Sequence, residues 1–333
     1  MNDQSPMTEQ AEPWTRRLGP SDEQVRLMAK VARMYHERGM RQAEIAAELH
    51  VSQPRVSRLL KRAVEVGVVR TTVSVPAGVH TDLEDELEAA YGLAEAVVVD
   101  AGDDDPQRAL GSAAAVYLET TLIGGDDLGI SSWSASLIAA VDAMRPSSSP
   151  VVSDVVQLVG GVGDPRVQLD ATRLLTTLAR ATGAAPIFLP APGLLSSPSA
   201  RESLMADPAV LQVTSRWLDL TIALVGIGAL EPSPLLLRSG NSIAEAEQDK
   251  LRAAGAVGDV CLRFFDEDGR PVVTDLDDRV IGISPDALRA IPRRIAVAGG
   301  VRKVAAIRGA LRGGWVSVLI TDVRTARALV AAA

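Results

Sequence analysis

Six side chains within ten residues, Gln53, Arg55, Ser57, Arg58, Lys61 and Arg62, are of the kinds that read and hold DNA. Gln and Arg pair bidentately with adenine and guanine edges, whereas Lys and Ser commonly hold phosphates. Their spacing turns them outward from one helix whose buried stripe is Val56, Leu59, Leu60 and Ala63. Ser52 stands where an N-cap belongs, and Pro54 lies in the first turn, where its missing N–H costs nothing. A shorter helix precedes it, with Arg41 and Gln42 at its start and Ala43, Ile45, Ala46 and Leu49 as a narrow apolar face. His50 and Val51 form the turn between them. An Arg-rich helix face alone is often merely solvated. Here the preceding helix, the turn and the cap agree, so the spacing predicts a helix-turn-helix that lays its second helix in the major groove. The expected DNA-binding set is Arg41, Gln42, Ser52, Gln53, Arg55, Ser57, Arg58, Lys61 and Arg62.

A second group of chemically able residues lies where strands give way to helices in the remainder of the chain. The run from Gly129 to Ser136 places Ser131, Ser132, Trp133, Ser134 and Ser136 after a strand and at the opening of a helix. Hydroxyls and free backbone N–H groups there suit a phosphate at the positive helix end. Gly160 and Gly161 mark a second glycine-rich junction, which leads to Gln168, and Gly226 and Gly228 mark a third. Gly299 and Gly300 mark a fourth and put Lys303 at the start of its helix, where an ammonium meets the same anion. One such loop is weak, since glycines often only let helix and strand pack closely. Four of them, one with hydroxyls and one with a lysine, point to a phosphorylated ligand. Neither GxxxxGK[ST] nor GxGxxG is present, which argues against a nucleotide P-loop and a dinucleotide site.

The elements that must hold these groups follow from periodicity. A first helix is expected over 21–39, capped by Ser21 and stopped by Gly39, with Val25, Met28, Ala29, Ala32 and Met34/Tyr35 buried. After the helix-turn-helix, 68–75 reads as a short wing or strand ended by Pro76, and 81–91 as an amphipathic helix that links the two parts and offers a subunit contact. Beyond it, strands are expected at 96–100, 127–131, 154–159, 187–189, 220–225, 259–265, 294–298 and 316–320. Helices are expected at 107–123, 134–144, 169–181, 243–254, 303–311 and 325–331, and 266–269 reads as a hairpin turn. Alternating apolar strands and helices predict a doubly wound α/β domain, its mostly parallel sheet covered on both faces. The expected divisions are a polar, proline-bearing disordered tail at 1–20, a DNA-binding head at 21–76, a linker helix at 77–93 and a ligand-binding domain at 94–333.

Charge supports that division. Residues 21–70 hold ten Lys/Arg against six Asp/Glu, whereas 71–333 carry a net charge of −11 within a whole-chain −8. A cationic head on an acidic body is expected to touch DNA through the head alone. The single Cys261 excludes an intramolecular disulfide, fits a reducing cytoplasm and lies in an apolar run, as a core residue would. No apolar run reaches the length of a membrane helix, so no membrane partner is expected, and no metal or cofactor set is legible. His36, His50 and His80 all lie in the head or linker, which leaves the body without the positioned histidine that proton transfer would want. No catalytic residue is therefore assigned; the alternative is an enzyme with Asp259 as base and Glu231 as a distant second carboxylate. A purely architectural DNA protein would leave the large acidic domain and its four loops without a role.

The ordered motifs QAEIAAELHVSQPRVSRLLKRAVEVGVV, GISSWSASL, QLVGGVG, LVGIGAL, GAVGDVCLRFFDEDG and AGGVRKVAAIRGALRGGWVSVLITD resemble those of the SorC/DeoR-type sugar-responsive bacterial transcriptional regulators, from about Val25 to the C-terminus. The resemblance implies a helix-turn-helix joined to a sugar-phosphate-isomerase-like domain, in a homo-oligomer, dimer or tetramer. Its operator affinity would be set by a phosphorylated sugar or polyol. Since that fold also catalyses isomerisation and deamination, the alternative is an active sugar-phosphate isomerase or deaminase with an appended DNA-binding head. By position it implies that Ser132, Ser134 and Ser136 hold the phosphate with Lys303, that Gln168 lies beside them, and that Asp259 accepts from ligand hydroxyls. Ser134 and Ser136 stand where the family often has Gly and Thr, which keeps an unphosphorylated polyol as an alternative.

Overall fold

The computed structural model describes residues 22–69, 78–102, 106–132, 134–161, 165–231 and 243–333, with the backbone alone at 22 and 165–170. The chain divides into two units, Met1–Ser74 and Val75–Ala333.

The first unit contains α1 (Asp22–His36), α2 (Gln42–Glu48) and α3 (Gln53–Glu65). Met28, Val31, Met34, Ile45, Val56, Leu60 and Ala63 form its core. Two details differ from expectation. Ala43 is exposed, because α2 has only two turns and buries Ile45 and Ala46 alone; Val31, outside the expected buried set, is fully buried. His50 adopts φ 52°, so the turn is made by a non-glycine residue in the left-handed region, with Val51 N–H donating to Ala46 O at 2.9 Å. Of the expected wing, only Val68 and Val69 are described, and they are not in a strand.

The second unit begins with α4 (Thr81–Tyr91) and β1 (Glu95–Val99), then α5 (Pro106–Thr121), β2 (Asp126–Ile130), α6 (Ala135–Ala143), β3 (Val152–Gln157), α7 (Pro165–Thr182) and β4 (Ala185–Ile187). It continues with α8 (Pro198–Met205), α9 (Pro208–Ser215), β5 (Ile222–Val225), β6 (Gly228–Ala229), α10 (Glu245–Ala253), β7 (Gly258–Val260) and β8 (Arg263–Phe265). The last elements are α11 (Pro285–Ala290), β9 (Arg293–Val297), α12 (Val304–Arg312), β10 (Val318–Asp322) and α13 (Val323–Ala331). Seven strands form one parallel sheet in the order β1-β10-β9-β5-β2-β3-β4. Alternation along each strand feeds two cores. On β5, Ile222 and Leu224 enter one core with Leu118 of α5, Leu137 of α6 and Leu178 of α7, while Ala223 and Val225 enter the other with Leu87 of α4, Ile307 of α12 and Leu329 of α13. Burial on both faces is what the apolar, non-alternating strands require.

Three departures have local causes. The run 259–265 is not one strand: Cys261 and Leu262 take φ 54° and 61°, and the chain folds back as an antiparallel hairpin of β7 and β8, to which β6 adds a third strand. The Asp259 carboxylate accepts the Leu262 N–H at 3.0 Å and so holds this turn itself. A second turn follows at the expected place, with Gly269 N–H donating to Asp266 O at 2.9 Å. Helices α8, α9 and α11, none of them expected, each open with a cap followed by proline: Ser197-Pro198, Asp207-Pro208 and Ser284-Pro285. Each cap side chain accepts an N–H two or three residues on. Helix α4, expected as a link, is packed into the second unit. Glu88 Oε1 accepts the Ala96 N–H and Glu84 Oε1 the Val98 N–H, both at 2.8 Å, so two carboxylates one turn apart satisfy the open edge of β1.

Candidate functional site

In the first unit, Arg41, Ser52, Gln53, Arg55, Ser57, Arg58, Lys61 and Arg62 are exposed and Gln42 is partly buried. Arg55, Arg58, Lys61 and Arg62 form no ion pair among the described residues, whereas Arg33 of α1 pairs with Glu37 at 2.9 Å. The positive face of α3 is therefore left unneutralised by the described residues of its unit. Ser52 is the N-cap of α3 in position, with ψ 147°, but its hydroxyl makes no capping bond. That corrects the expected cap and leaves the hydroxyl for another acceptor. Arg41 N–H donates to Glu44 Oε2 at 2.8 Å, which fixes the start of α2 through a side chain three residues on.

In the second unit, the strand order locates a site without reference to any motif. The chain runs outward from β2 through β3 to β4 on one side, and from β5 through β9 to β10 on the other. The adjacent pair β2 and β5 is thus the switch point, and open α/β sheets bind their ligands in the crevice at the carboxyl ends of the strands at such a point. Ser131 knits this point together: its N–H donates to Leu224 O at 3.1 Å and its hydroxyl accepts the Gly226 N–H at 3.2 Å. Ser134 caps α6, accepting the Leu137 N–H at 3.4 Å. Gly226 backs onto it so closely that a Cβ there would lie 2.8 Å from the Ser134 hydroxyl. Ser132 is 4% exposed, and its hydroxyl has no partner among the described residues.

Lys303 and Asp259 meet the same crevice from the β9 side. Lys303 Nζ donates to Ile227 O, just beyond the end of β5, at 2.8 Å. Asp259 lies over Gly228, where any Cβ would run into its carboxylate. Burial pushes the Asp259 carboxyl up to about 6, against the opposing pull of the Leu262 N–H and the Lys303 charge. Burial lowers the Lys303 ammonium, with Asp259 acting against it. Each is thus costly to charge and each partly supports the other. The arrangement offers an ammonium, a carboxyl and hydroxyls on one sheet edge, which suits an anionic polyhydroxyl compound.

Other expected residues are placed differently. The Ser136 hydroxyl donates to Gln107 Oε1 and so is turned toward α5. The Gly160 and Gly161 N–H groups are already used, on Ile281 O at 2.9 Å and Ala191 O at 3.2 Å, and Gly160 is pressed against Ala191 and Pro192. Gln168 lies on α7 with its side chain outside the described residues, as does the whole of Trp133. Sequence reasoning missed Asp322 and Thr325, which hold the lysine loop: Gly300 N–H donates to Asp322 Oδ2 and to Thr325 Oγ1, both at 2.8 Å. It also missed that residues 287–333 carry nine Lys/Arg and a single Asp, a basic flank hidden in the body's average of −11. Among the described residues no group of three or more His, Cys, Asp or Glu is placed to hold a metal ion, and no helix is long and apolar enough to cross a membrane.

Comparison with known proteins agrees with both halves. Residues 76–331 match a sugar-binding domain family (Sugar-bind), and 22–70 match a helix-turn-helix domain. The chain is 35% identical over 311 residues to the deoxyribonucleoside regulator of Bacillus subtilis, covering 92% of this chain and 98% of that one. It is 31% identical over 319 residues to the sorbitol operon regulator of Klebsiella pneumoniae, covering 93% and 99%. The crystal structure of that full-length sorbitol operon regulator, SorC, superposes with a TM-score of 0.71 at 30% identity, covering 93% of this chain and all of the other. With a helix-turn-helix whose cationic face is free, a doubly wound domain with its crevice at the switch point, and relatives matched along nearly their whole length, the chain belongs to the SorC/DeoR-type family of sugar-responsive, DNA-binding transcriptional regulators.

Proposed function

We propose that the crevice at the ends of β2, β5 and β9 binds a phosphorylated sugar or polyol, and that its occupancy sets the affinity of the α3 face for a palindromic operator. One observation carries the reading: Lys303, Asp259 and the Ser131–Ser134 turn, distant in sequence, converge on the switch point of the sheet. The names of two relatives, a deoxyribonucleoside regulator and a sorbitol operon regulator, favour sugars and polyols as the ligand class. Lys303 and the Ser132–Ser134 turn would take the anionic group, Gln168 would lie beside it, and Asp259 would accept from ligand hydroxyls. Arg55, Arg58 and Gln53 would reach base edges, while Lys61, Arg62, Ser52, Ser57, Arg41 and Gln42 would hold the backbone. The working form is a cytoplasmic homo-oligomer, dimer or tetramer, that places one head in each half-site. It carries out no reaction on its ligand: the three histidines lie at or before residue 80, and Asp259, one oxygen of which holds the hairpin turn, has no second carboxylate or histidine beside it among the described residues.

The test is operator binding by the full chain against a panel of sugar and polyol phosphates with their unphosphorylated forms. A response to one phosphorylated compound that is lost in Lys303→Ala, with ligand-free operator binding retained, supports the reading. A response to free polyols alone removes the phosphate from it. Turnover of any panel member would establish the enzyme alternative instead.

A further inference from the structure

We propose that Asp322 is the positioning residue of the crevice, and that its hydrogen bonds begin a route carrying the state of the Lys303 loop to α4. The proposal deepens the reading above and rests on the crevice being the effector site. Asp322 ends β10, caps α13 and is 4% exposed. Its Oδ1 accepts the Thr325 N–H at 2.9 Å, which fixes the first turn of α13. Its Oδ2 accepts the Thr325 hydroxyl at 2.6 Å and the Gly300 N–H at 2.8 Å. Burial alone would raise this carboxyl; hydrogen bonds from Thr325, Gly300 and Arg324 outweigh it and hold it below the usual carboxylate range. An ionised, buried carboxylate is thus spent on joining two segments.

The segment it grips is the one that bears the lysine. Gly300 sits at φ 98°, a conformation open to glycine, and Gly299 approaches the same carboxylate with no room for a Cβ. Lys303 N–H donates to Gly300 O at 2.8 Å, so the residue carrying the ammonium hangs from the glycine that Asp322 holds. A ligand that draws Nζ away from Ile227 O acts on the residue that hangs from this loop.

The far end of α13 holds α4. Leu329 O accepts the Tyr91 hydroxyl at 2.8 Å, and Tyr91 is the last residue of α4. Leu83, Leu87 and Tyr91 pack in the same core as Ala326 and Leu329. The chain that leaves the head enters the second unit at α4. One short helix therefore has its N-terminus tied to the ligand loop and its C-terminus tied to the element nearest the head in sequence, the kind of contiguous packed connection through which coupling can travel.

The route can be tested without a ligand, by hydrogen exchange on the full chain. Asp322→Asn keeps an oxygen to cap Thr325, so α13 stays capped, but its amide group cannot accept the Gly300 N–H, which is left with the Thr325 hydroxyl alone. The expected result is faster exchange in 298–303 and, at a distance, faster exchange across α4 by about five- to tenfold, the scale of one lost hydrogen bond. Exchange in α7, which packs on β3 and β4 away from this loop, should not change. Tyr91→Phe should speed α4 alone, and the double variant should be no faster in α4 than Tyr91→Phe, because both break one connection. Wild-type exchange in α4 of Asp322→Asn, or additive effects in the double variant, overturns the route. A further arm adds inorganic phosphate, sorbitol 6-phosphate and deoxyribose 5-phosphate to the wild type. No slowing at 298–303 with any of them rejects the crevice reading itself and the proposal with it. Slowing there, combined with wild-type α4 exchange in Asp322→Asn, rejects the route and leaves the crevice standing.

Discussion

Asp259 and Lys303 are shifted in opposite directions for one reason: both charges are taken partly out of water at the same crevice. The sign of the consequence for Asp259 is fixed. Its carboxyl binds a proton more tightly in the fold, at about 6, than in the unfolded chain at 3.8, so its contribution favours the fold increasingly as pH falls through 6 and is absent above about 7. Asp259→Asn removes that dependence while an oxygen remains to accept the Leu262 N–H. The difference in stability between wild type and variant should therefore move in favour of the wild type by about 1 kcal/mol between pH 7.5 and pH 5. Melting curves of the two proteins across that range measure it. A constant difference would mean that the carboxyl titrates near its unfolded value. Arg58 belongs to the same scale, because its chemistry is that of one side chain on one base. Arg58→Ala should cost about 1–3 kcal/mol on the operator and much less on unrelated DNA, as paired titrations would show. Equal losses on both would make it a phosphate contact.

Helix α4 shows how an element can be recognised correctly and its role still be hidden. The Thr81–Tyr91 periodicity is plain, but nothing in the local pattern says that Glu84 and Glu88 reach across to the backbone of β1. Those two carboxylates close the sheet edge, so Glu88→Ala should leave the Ala96 N–H without its partner and destabilise the fold by about 1–3 kcal/mol. Glu88→Gln, which keeps an acceptor oxygen, should cost far less. Denaturant titrations of both variants decide it; equal costs would assign the effect to lost charge rather than to the open edge. The parallel sheet and its flanking helices were legible because both-face burial gives long apolar strands separated by amphipathic windows. The helices α8, α9 and α11 were legible in principle, through Ser-Pro and Asp-Pro openings, but they are short and weakly periodic. The β7–β8 turn was not: Cys261 and Leu262 are residues that rarely take left-handed φ, and only Asp259, bonded to Leu262 and packed over Gly228, shows why they do. In the site, Lys303 was readable as a cation at a strand-to-helix junction, whereas Asp259, expected at the start of a strand, was assigned to the ligand only through the family resemblance. Asp322 was not readable: its bonds to Thr325 are local and read only as a helix cap, and Gly300 meets it only when β9 and β10 lie side by side.

Across the whole molecule, charge separates the two tasks. The head holds a net +4 over 21–70, with the α3 cations in no ion pair among the described residues, and the body is acidic except for the basic stretch 287–333, which includes Lys303. An anionic ligand and an anionic duplex are thus drawn to different places, one by Lys303, the other by α3. Salt dependence reads the second attraction directly. Each phosphate that a cation neutralises releases counterions and contributes about −0.9 to the slope of log K against log salt. If Lys61 holds a phosphate in every occupied half-site, Lys61→Ala should make the slope shallower by about 0.9 for each head on the DNA, close to 2 for a pair of heads on a palindrome. The loss should be nearly the same for operator and unrelated sequences, since phosphates carry no base identity. Fluorescence titrations of wild type and Lys61→Ala at several salt concentrations therefore count engaged heads as well as testing the contact. A slope change near 1 means that a single head binds, whatever the solution assembly, and an unchanged slope removes Lys61 from the interface. The same titrations repeated with saturating effector separate two ways of switching. A slope that falls by the full contribution of one head means that ligand lifts a head off its half-site. An unchanged slope with weaker binding means that both heads stay engaged while the bound arrangement becomes strained, as expected when ligand favours a different spacing of the heads.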